Sequence, residues 1–305
     1  MKTYTIYANC QGEALSEILD SSPNFKQQYE LVKIKPVQLI EPSELDQILA
    51  EIVSGVDLLI YQPISAQFNN DSRYSSTNFL KHLKTTCRCI SFPSSYFRGY
   101  HPELGFLKND QGKNTAVPIH KSGKLVRFAL VHDLNIIKAF VEGKSVTEIT
   151  NLIERDDFYD PRFLNTVLED SFSELRKREN SLKVDIIISN FIERRFREQK
   201  LFHTFNHPDK SVFLYIAACL LRFMHIKPDF VDSPDPLGNL SFPIYSSTYN
   251  SLKFNFPESG KYKIVEWELE LVEIVSQYYK AYESLPREIL QNRVANWNPA
   301  QLVAY

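Results

Sequence analysis

Thr3-Tyr-Thr-Ile-Tyr-Ala-Asn-Cys-Gln-Gly-Glu-Ala-Leu-Ser-Glu-Ile-Leu19 is the stretch on which the fold turns. A β-prone run over residues 3–8 meets Asn9-Cys10-Gln11-Gly12. A helical pattern then starts at once, with Leu15, Ile18 and Leu19 on one face. A strand that turns directly into a helix puts its turn residues at the carboxyl edge of a sheet, where open α/β folds build their sites. Cys10 in that turn would lie beside the unpaired N–H groups of a helix N-terminus, which favour thiolate over thiol. A free cysteine is equally at home as a small buried hydrophobe, so this segment alone leaves both roles open.

Working outward, the first ninety residues keep a βαβα rhythm. Residues 29–37 alternate like a strand, and residues 42–53 read as a helix capped by Ser43. Residues 56–61 form a short apolar strand ending at Gln62-Pro63. A helical segment over 78–84 then precedes a strand over 88–92 that ends at Pro93. Such alternation predicts an α/β class with a mostly parallel sheet and crossover helices in the N-terminal half. Residues 94–127 lose periodicity and read as a long ordered loop, a length usually tied to function. A mainly helical C-terminal half follows, with helices expected over 133–142, 146–154, 161–177, 184–199, 208–225 and 264–283. Residues 230–257 read as a Pro- and Ser-rich connection. The expected organisation is an α/β region, 1–130, bearing the nucleophile, with a mainly helical region, 131–305, packed on it as one structural unit.

Composition narrows the partners. The 305 residues are 43% hydrophobic and 24% charged, with a net charge of −2, as in ordinary globular proteins. No strongly basic surface is implied, so nucleic acid is not an expected partner. The 13% aromatic content suits a sugar-binding cleft and a dense core alike. The longest apolar run, 211–224, contains Arg222 and is too short for an integral membrane segment. With no secretory pattern at the N-terminus, a reducing cytoplasmic setting is expected, with Cys10, Cys87, Cys89 and Cys219 as free thiols. Cys87 and Cys89 share one face of a strand pattern and read as core packing. No metal-ligand spacing occurs, and no metal is expected.

Four blocks carry candidate chemistry. They are Asn9-Cys10-Gln11; Tyr61-Gln-Pro-Ile-Ser65 with Asn69-Asn-Asp-Ser-Arg-Tyr-Ser-Ser-Thr77; Ser91-Phe-Pro-Ser-Ser-Tyr-Phe-Arg-Gly-Tyr-His-Pro102; and Phe202-His-Thr-Phe-Asn-His-Pro-Asp209. Cys10 is the nucleophile candidate at a strand end. His207 and His203 are the leading base candidates, ahead of His101 and His132. Pro208 fits a first helical turn, which would place Asn206 or His207 at a cap. Arg73 and Arg98 could hold a phosphate, although a salt-bridged surface role is the commoner fate of an arginine. Asn9, Gln11 and Gln62 could donate amide protons to an oxyanion, or simply tie strand ends together. Gly-rich phosphate loops and Gly-x-Ser-x-Gly are missing.

Taken in order, the Asn9-Cys10-Gln11 turn, Gln62-Pro63, Arg73-Tyr-Ser-Ser-Thr, Phe92-Pro-Ser-Ser-Tyr-Phe-Arg-Gly-Tyr-His-Pro102 and Phe205-Asn-His-Pro208 resemble the WcbI-type family of polysaccharide-biosynthesis acetyltransferases over about the first two thirds of the chain. The resemblance implies a coenzyme A-binding protein that moves an acetyl group from acetyl-CoA to a carbohydrate hydroxyl in capsule or exopolysaccharide assembly. Cys10, His207, Gln11 and Gln62 would then be catalytic. Asn9, Arg73, Tyr74, Ser75, Arg98, His203 and Asn206 would bind the cofactor. The first block also resembles that of SGNH-type esterases, but Cys10 replaces the usual serine, Asn9 replaces the aspartate, and no Asp-x-x-His block follows. The rival readings are a cysteine-dependent esterase or thioesterase, and a glycan- or nucleotide-binding module without catalysis.

Overall fold

The computed structural model describes residues 1–109, 111–121, 123–127 and 131–297. Strand β1 (Lys2–Tyr7) runs into helix α1 (Cys10–Asp20), then a one-turn helix α2 (Pro23–Lys26) and strand β2 (Tyr29–Leu31). A short helix α3 (Leu45–Gln47) passes into a π-helical stretch, Ile48–Val53, before β3 (Leu58–Tyr61), α4 (Ser76–Lys81) and β4 (Arg88–Ser91). These four strands form one parallel sheet in the order β2-β1-β3-β4. Tyr7 pairs with Tyr61 and Tyr61 with Ser91, so three strands end at one level. Their next residues therefore leave the same sheet edge side by side.

Alternation along the strands explains why both faces are covered. Tyr4, Ile6, Leu58, Ile60 and Ile90 join Leu15, Ile18 and Leu19 of α1 in one core. Tyr7 and Leu59 point the other way, into a second core with Leu45, Leu49, Val53 and Phe79. There the Tyr7 and Phe79 rings stack with centroids 3.7 Å apart. Cys87 and Cys89 pack against this second core, and all four cysteines are free thiols.

Several expected elements are shorter than their periodicity suggests. The strand foreseen over 29–37 stops at Leu31. Val32 N–H still donates to Tyr4 O and Val37 N–H to Ala8 O, but Pro36 has no N–H to continue the ladder. Helix α3 begins after Glu44, so Ser43 is not its cap. Residues 94–127 are not a featureless loop. They contain β5 (Leu104–Phe106) and the hairpin of β6 (Pro118–Lys121) and β7 (Lys124–Arg127), and β5 pairs antiparallel with β8 (Val131–Asp133).

The rest is helix-rich: α5 (Leu134–Val141), α6 (Val146–Ile153), α7 (Pro161–Leu182) and α8 (Ser189–Arg195). Asp133 caps α5, and Asp160 with Pro161 opens α7. The helix foreseen over 184–199 shrinks to α8 because its first residues are used elsewhere. Asp185 accepts from the N–H and hydroxyl of Ser91 at 2.7 Å each, and Ile186 N–H donates to Ser91 O. The buried carboxylate of Glu179 then caps α8 from outside, accepting from Ile188 N–H at 2.7 Å and Ser189 N–H at 2.8 Å.

Strands β9 (Phe202–Thr204) and β10 (His207–Pro208) form a tight antiparallel pair ahead of α9 (Lys210–Phe223). The stretch 230–257 is more than a connection, since it supplies β11 (Leu240–Ser241) and α10 (Ser246–Ser251). Strands β12 (Tyr262–Ile264) and β13 (Trp267–Leu269) occupy the start of the helix foreseen over 264–283. Val265 makes the turn between them at φ 55°. Helices α11 (Leu271–Glu283) and α12 (Arg287–Ala295) close the described chain. One hydrophobic core reaches from Tyr4 in the sheet to Leu290 in α12. Among the described residues no helix is long and apolar enough to cross a membrane.

Candidate functional site

The turn after β1 is built by local chemistry. Asn9 is the N-cap of α1, in extended backbone conformation, and its side-chain oxygen accepts from Gln11 N–H at 2.9 Å. Gly12 lets the helix start fold tightly over the strand: a Cβ there would stand 2.9 Å from Ala8 Cβ and 3.1 Å from Ile6 Cγ2.

Gln11 is buried and joins all four blocks. Its Oε1 accepts from Gln62 Nε2 and from Ser95 N–H, each at 2.9 Å. Its Nε2 donates to Ser95 O at 2.9 Å and to Asn206 O at 3.0 Å. Gln62 Oε1 in turn accepts from Asn9 N–H at 3.1 Å. The carbonyl and N–H neighbours set which end of each amide is oxygen. Both amide protons of Gln11 are committed, so in this arrangement it serves as the tie between strand ends and has no free proton for an oxyanion.

Cys10 is half-buried at the first position of α1. Burial pushes its thiol above the ordinary range and Glu13 adds to this, while the N–H groups of Cys10 and Gln11 pull it down. Burial prevails. The thiolate foreseen from the helix terminus is therefore not the resting form, because the sequence pattern carried no information about desolvation.

Opposite lies the β9–β10 hairpin, held to the third block by Phe97 N–H donating to Phe205 O at 2.8 Å. Asn206 and His207 do not cap the long helix, as was expected. They lie in the hairpin, and Asp209 caps α9 by accepting from Ser211 N–H at 3.0 Å. Asn206 Oδ1 accepts from Thr204 Oγ1 at 3.0 Å. His207 Nδ1 is buried with no hydrogen-bond partner. Burial, and then nearby His203, lower His207 to about 4, with Asp235 pulling the other way. His207 is thus a neutral imidazole at pH 7, able to accept a proton. His203 Nε2 lies 2.8 Å from Asp235 Oδ2. Asp235 also accepts from Lys210 N–H and Leu237 N–H at 3.1 Å each. Sequence reasoning missed Asp235, which stands in an irregular segment and carries no motif.

The segment of Arg73, Tyr74 and Ser75 adjoins the sheet edge, where the Tyr7 hydroxyl donates to Tyr74 O and the Ser76 hydroxyl to Gln62 O at 3.2 Å, but the three side chains are engaged elsewhere. Arg73 is half-buried and clamped by Asp71 through Nε at 3.1 Å and Nη2 at 2.8 Å, with Asp46 at 3.3 Å from Nη1. Tyr74 is a core side chain whose hydroxyl donates to Ile40 O at 2.6 Å. Ser75 caps α4 by accepting from Asn78 N–H at 3.1 Å. Arg98, by contrast, is only 4% exposed and sits 5.9 Å from the centre of the Phe205 ring. His101 and His132 are wholly buried and belong to the interior. The first lies 3.2 Å from Glu103 Oε1, the second between Tyr282 Oη at 3.1 Å and Thr115 O at 3.0 Å. Among the described residues no group of three or more metal-capable side chains gathers.

A family model for the polysaccharide biosynthesis enzyme WcbI matches residues 3–229, which hold all four blocks. The chain belongs to the WcbI family of polysaccharide biosynthesis enzymes. Its fold is similar to that of a solved WcbI structure, with a TM-score of 0.80 and 24% identity, covering 98% of this chain and 96% of that one. That structure is described as the native WcbI protein without a disulfide bond between coenzyme A and one of its cysteines. Comparison with curated proteins finds no match. The family-model match stops before Asp235 and before α12.

Proposed function

We propose that this WcbI-family enzyme is an acyl-CoA-dependent O-acetyltransferase acting on a carbohydrate hydroxyl in capsule or exopolysaccharide assembly. The observation that carries the reading is the Gln11–Asn206 hydrogen bond, which ties the turn holding Cys10 to the hairpin holding His207. The pairing of coenzyme A with a cysteine in the description of the WcbI structure supports it. The side chains also fit such a group: a half-buried thiol, a neutral imidazole with an unpartnered nitrogen, and a buried arginine beside the same hairpin.

Coenzyme A supplies the acyl group as an activated thioester. His207 takes the proton from the sugar hydroxyl as the hydroxyl oxygen bonds to the acyl carbon. The C–S bond breaks, and the imidazolium returns its proton to the departing sulfur. In a two-step variant Cys10 gives its proton to His207 as its sulfur bonds to the acyl carbon, and coenzyme A leaves as a thiol carrying that proton. The sugar hydroxyl then gives its proton to His207 and displaces the Cys10 sulfur, which takes the proton back. Because burial raises its thiol, Cys10 needs a base before it can attack. His203, paired with Asp235, holds the far side of the hairpin.

The test is acetyl transfer from acetyl-CoA to capsular oligosaccharide acceptors by the native enzyme, Cys10→Ala and His207→Ala. Loss of a general base lowers the rate by about 10²–10⁴-fold. Full activity in both variants would overturn the assignment. Acetyl-CoA consumption that needs no sugar would replace it with a thioesterase.

A further inference from the structure

Two clefts are lined by consecutive residues at the end of α12. The first, of about 380 Å³, holds Ile289, Arg293 and Asn296 together with Phe205, which directly precedes Asn206 of the His207 hairpin. A Cβ built on Gly105 of β5 would stand 2.6 Å from Arg293 Nη2 and 3.5 Å from both Arg98 Nη2 and Leu134 Cδ1. Helix α12, β5 and the start of α5 therefore close on one point. One residue further along each segment, Trp297 after Asn296 and Asn135 after Leu134 line a second cleft of about 430 Å³. No residue of the four motif blocks contributes to it.

The second cleft is walled by aromatic rings. Phe158 and Tyr159 stand before α7, Phe163 lies in its first turn, and Trp297 follows α12. Tyr159 is held firmly: its hydroxyl accepts from Asn135 Nδ2 at 2.6 Å, and its ring stacks on Tyr245 with centroids 5.9 Å apart. Phe158 meets the same ring edge-on at 4.8 Å. A wall fixed in this way loses little freedom when a ligand binds. The charges in the lining cancel, with Lys138 and Lys144 set against Glu142 and Asp160. Lys138 is paired with Glu142, and Asp160 is engaged as the cap of α7. An anion gains no net attraction there, whereas a neutral ligand needs none. Trp297 Nε1 is buried without a hydrogen-bond partner, a donor whose desolvation goes uncompensated until an acceptor reaches it. Aromatic faces carry negative charge that attracts the weakly positive C–H groups of a sugar ring, and the sugar's hydroxyls supply acceptors for the indole N–H.

We propose that this second cleft holds a neutral segment of the acceptor glycan, away from the hydroxyl that reacts but on the same chain. A glycan leaving the hairpin passes Phe205 and the end of α12 to reach Trp297. That the bound glycan is the acceptor rests on the function proposed above; that the cleft takes neutral sugars does not. Binding energy gained so far from the reacting atoms is expressed in KM for long acceptors.

The test is an array of neutral and acidic capsule and exopolysaccharide fragments, from single sugars to octasaccharides, probed with the native protein, Trp297→Ala, Trp297→Phe, Phe163→Ala and His207→Ala. Native protein is expected to bind neutral fragments more tightly as they lengthen. Trp297→Ala and Phe163→Ala should weaken the long ones by about tenfold. Trp297→Phe, which keeps a ring and loses the N–H, should recover part of this, and His207→Ala should bind as the native protein does. In acetyl transfer Trp297→Ala should raise KM for long acceptors and leave kcat and single-sugar acceptors unchanged. Trp267→Phe leaves Trp297 as the sole indole, so its fluorescence reports on the cleft with every wall residue in place. The oligosaccharide that binds best should shift that emission. No capture of neutral fragments, capture that both alanine variants retain in full, or an unshifted Trp297 emission overturns the subsite. Acetyl transfer that persists alongside any of these leaves the acyltransferase reading standing. Length-dependent binding that depends on Trp297, without acetyl transfer by the native protein, keeps the subsite and removes the acyltransferase reading.

Discussion

The side-chain amide of Gln11 donates to the main-chain carbonyl of Asn206 across 3.0 Å, joining residues 195 positions apart. This bond, with those to Ser95 and Gln62, satisfies every donor and acceptor of one buried amide. A fully satisfied network in the interior holds its members in one geometry.

Gln11→Leu strips partners from Ser95 N–H, Ser95 O, Asn206 O and Gln62 Nε2. Each buried group left unpaired costs about 1–3 kcal/mol, so a loss of several kcal/mol is expected. Gln11→Glu should be at least as harmful, because it sets a carboxylate oxygen against two carbonyls. Denaturant unfolding measures both. A change in Gln11→Leu below about 1 kcal/mol would show that the network does not hold the site together.

The proton acceptor should reveal itself in the pH profile. His207 is lowered to about 4 by burial, so it stays neutral well below the range of a free imidazole. The acid limb of kcat/KM, which reports the free enzyme, is expected near pH 4. An acid limb near pH 6.5 would assign the base to a different group.

Cys10 should be slow to alkylate. With its thiol raised by burial, the thiolate fraction at pH 7 is below that of an exposed cysteine. Iodoacetamide labelling, read peptide by peptide, should proceed more slowly at Cys10 than in a short unstructured peptide and accelerate as pH rises past 9. Labelling faster than the peptide at pH 7 would refute this and restore the helix-terminus thiolate.

Acidification tests the buried imidazole of His132, which burial lowers to about 4. The unfolded chain takes up this proton near pH 6.5 and the folded chain only near pH 4. Stability from this group therefore rises with pH across that window and is lost as pH falls through it. Asp133 runs the opposite way: burial raises it to about 6, so its contribution is lost as pH climbs from its ordinary range to that value. His132→Gln isolates the first effect. Between pH 7 and pH 4.5 it should lose about 2 kcal/mol less stability than the native protein. Equal losses in both would mean that His132 is already protonated in the fold.

What could be read without coordinates was local. The strand runs over 3–8, 56–61 and 88–92 and the helix start at residue 133 depend on residues within a few positions of one another. Hydrophobic period and short side-chain-to-backbone bonds are written at that range. Even the fate of Arg73 was close at hand, since Asp71, two positions away, claims its guanidinium.

Tertiary structure decided everything that needed a distant partner. Packing selected Ser95 and Asn206 for Gln11 and Asp235 for His203, and brought Arg293 to the glycine that faces Arg98. It also cut the helix foreseen over 184–199 short, because Ser91 and Glu179 offered its first residues better bonds than another helical turn. Burial, which pushes Cys10 up and His207 down, is likewise a property of the assembled interior. Sequence determined the sheet, its edge and the residues that leave it. Only the fold determined which of them meet, because desolvation and long-range hydrogen bonds exist only once the core has closed.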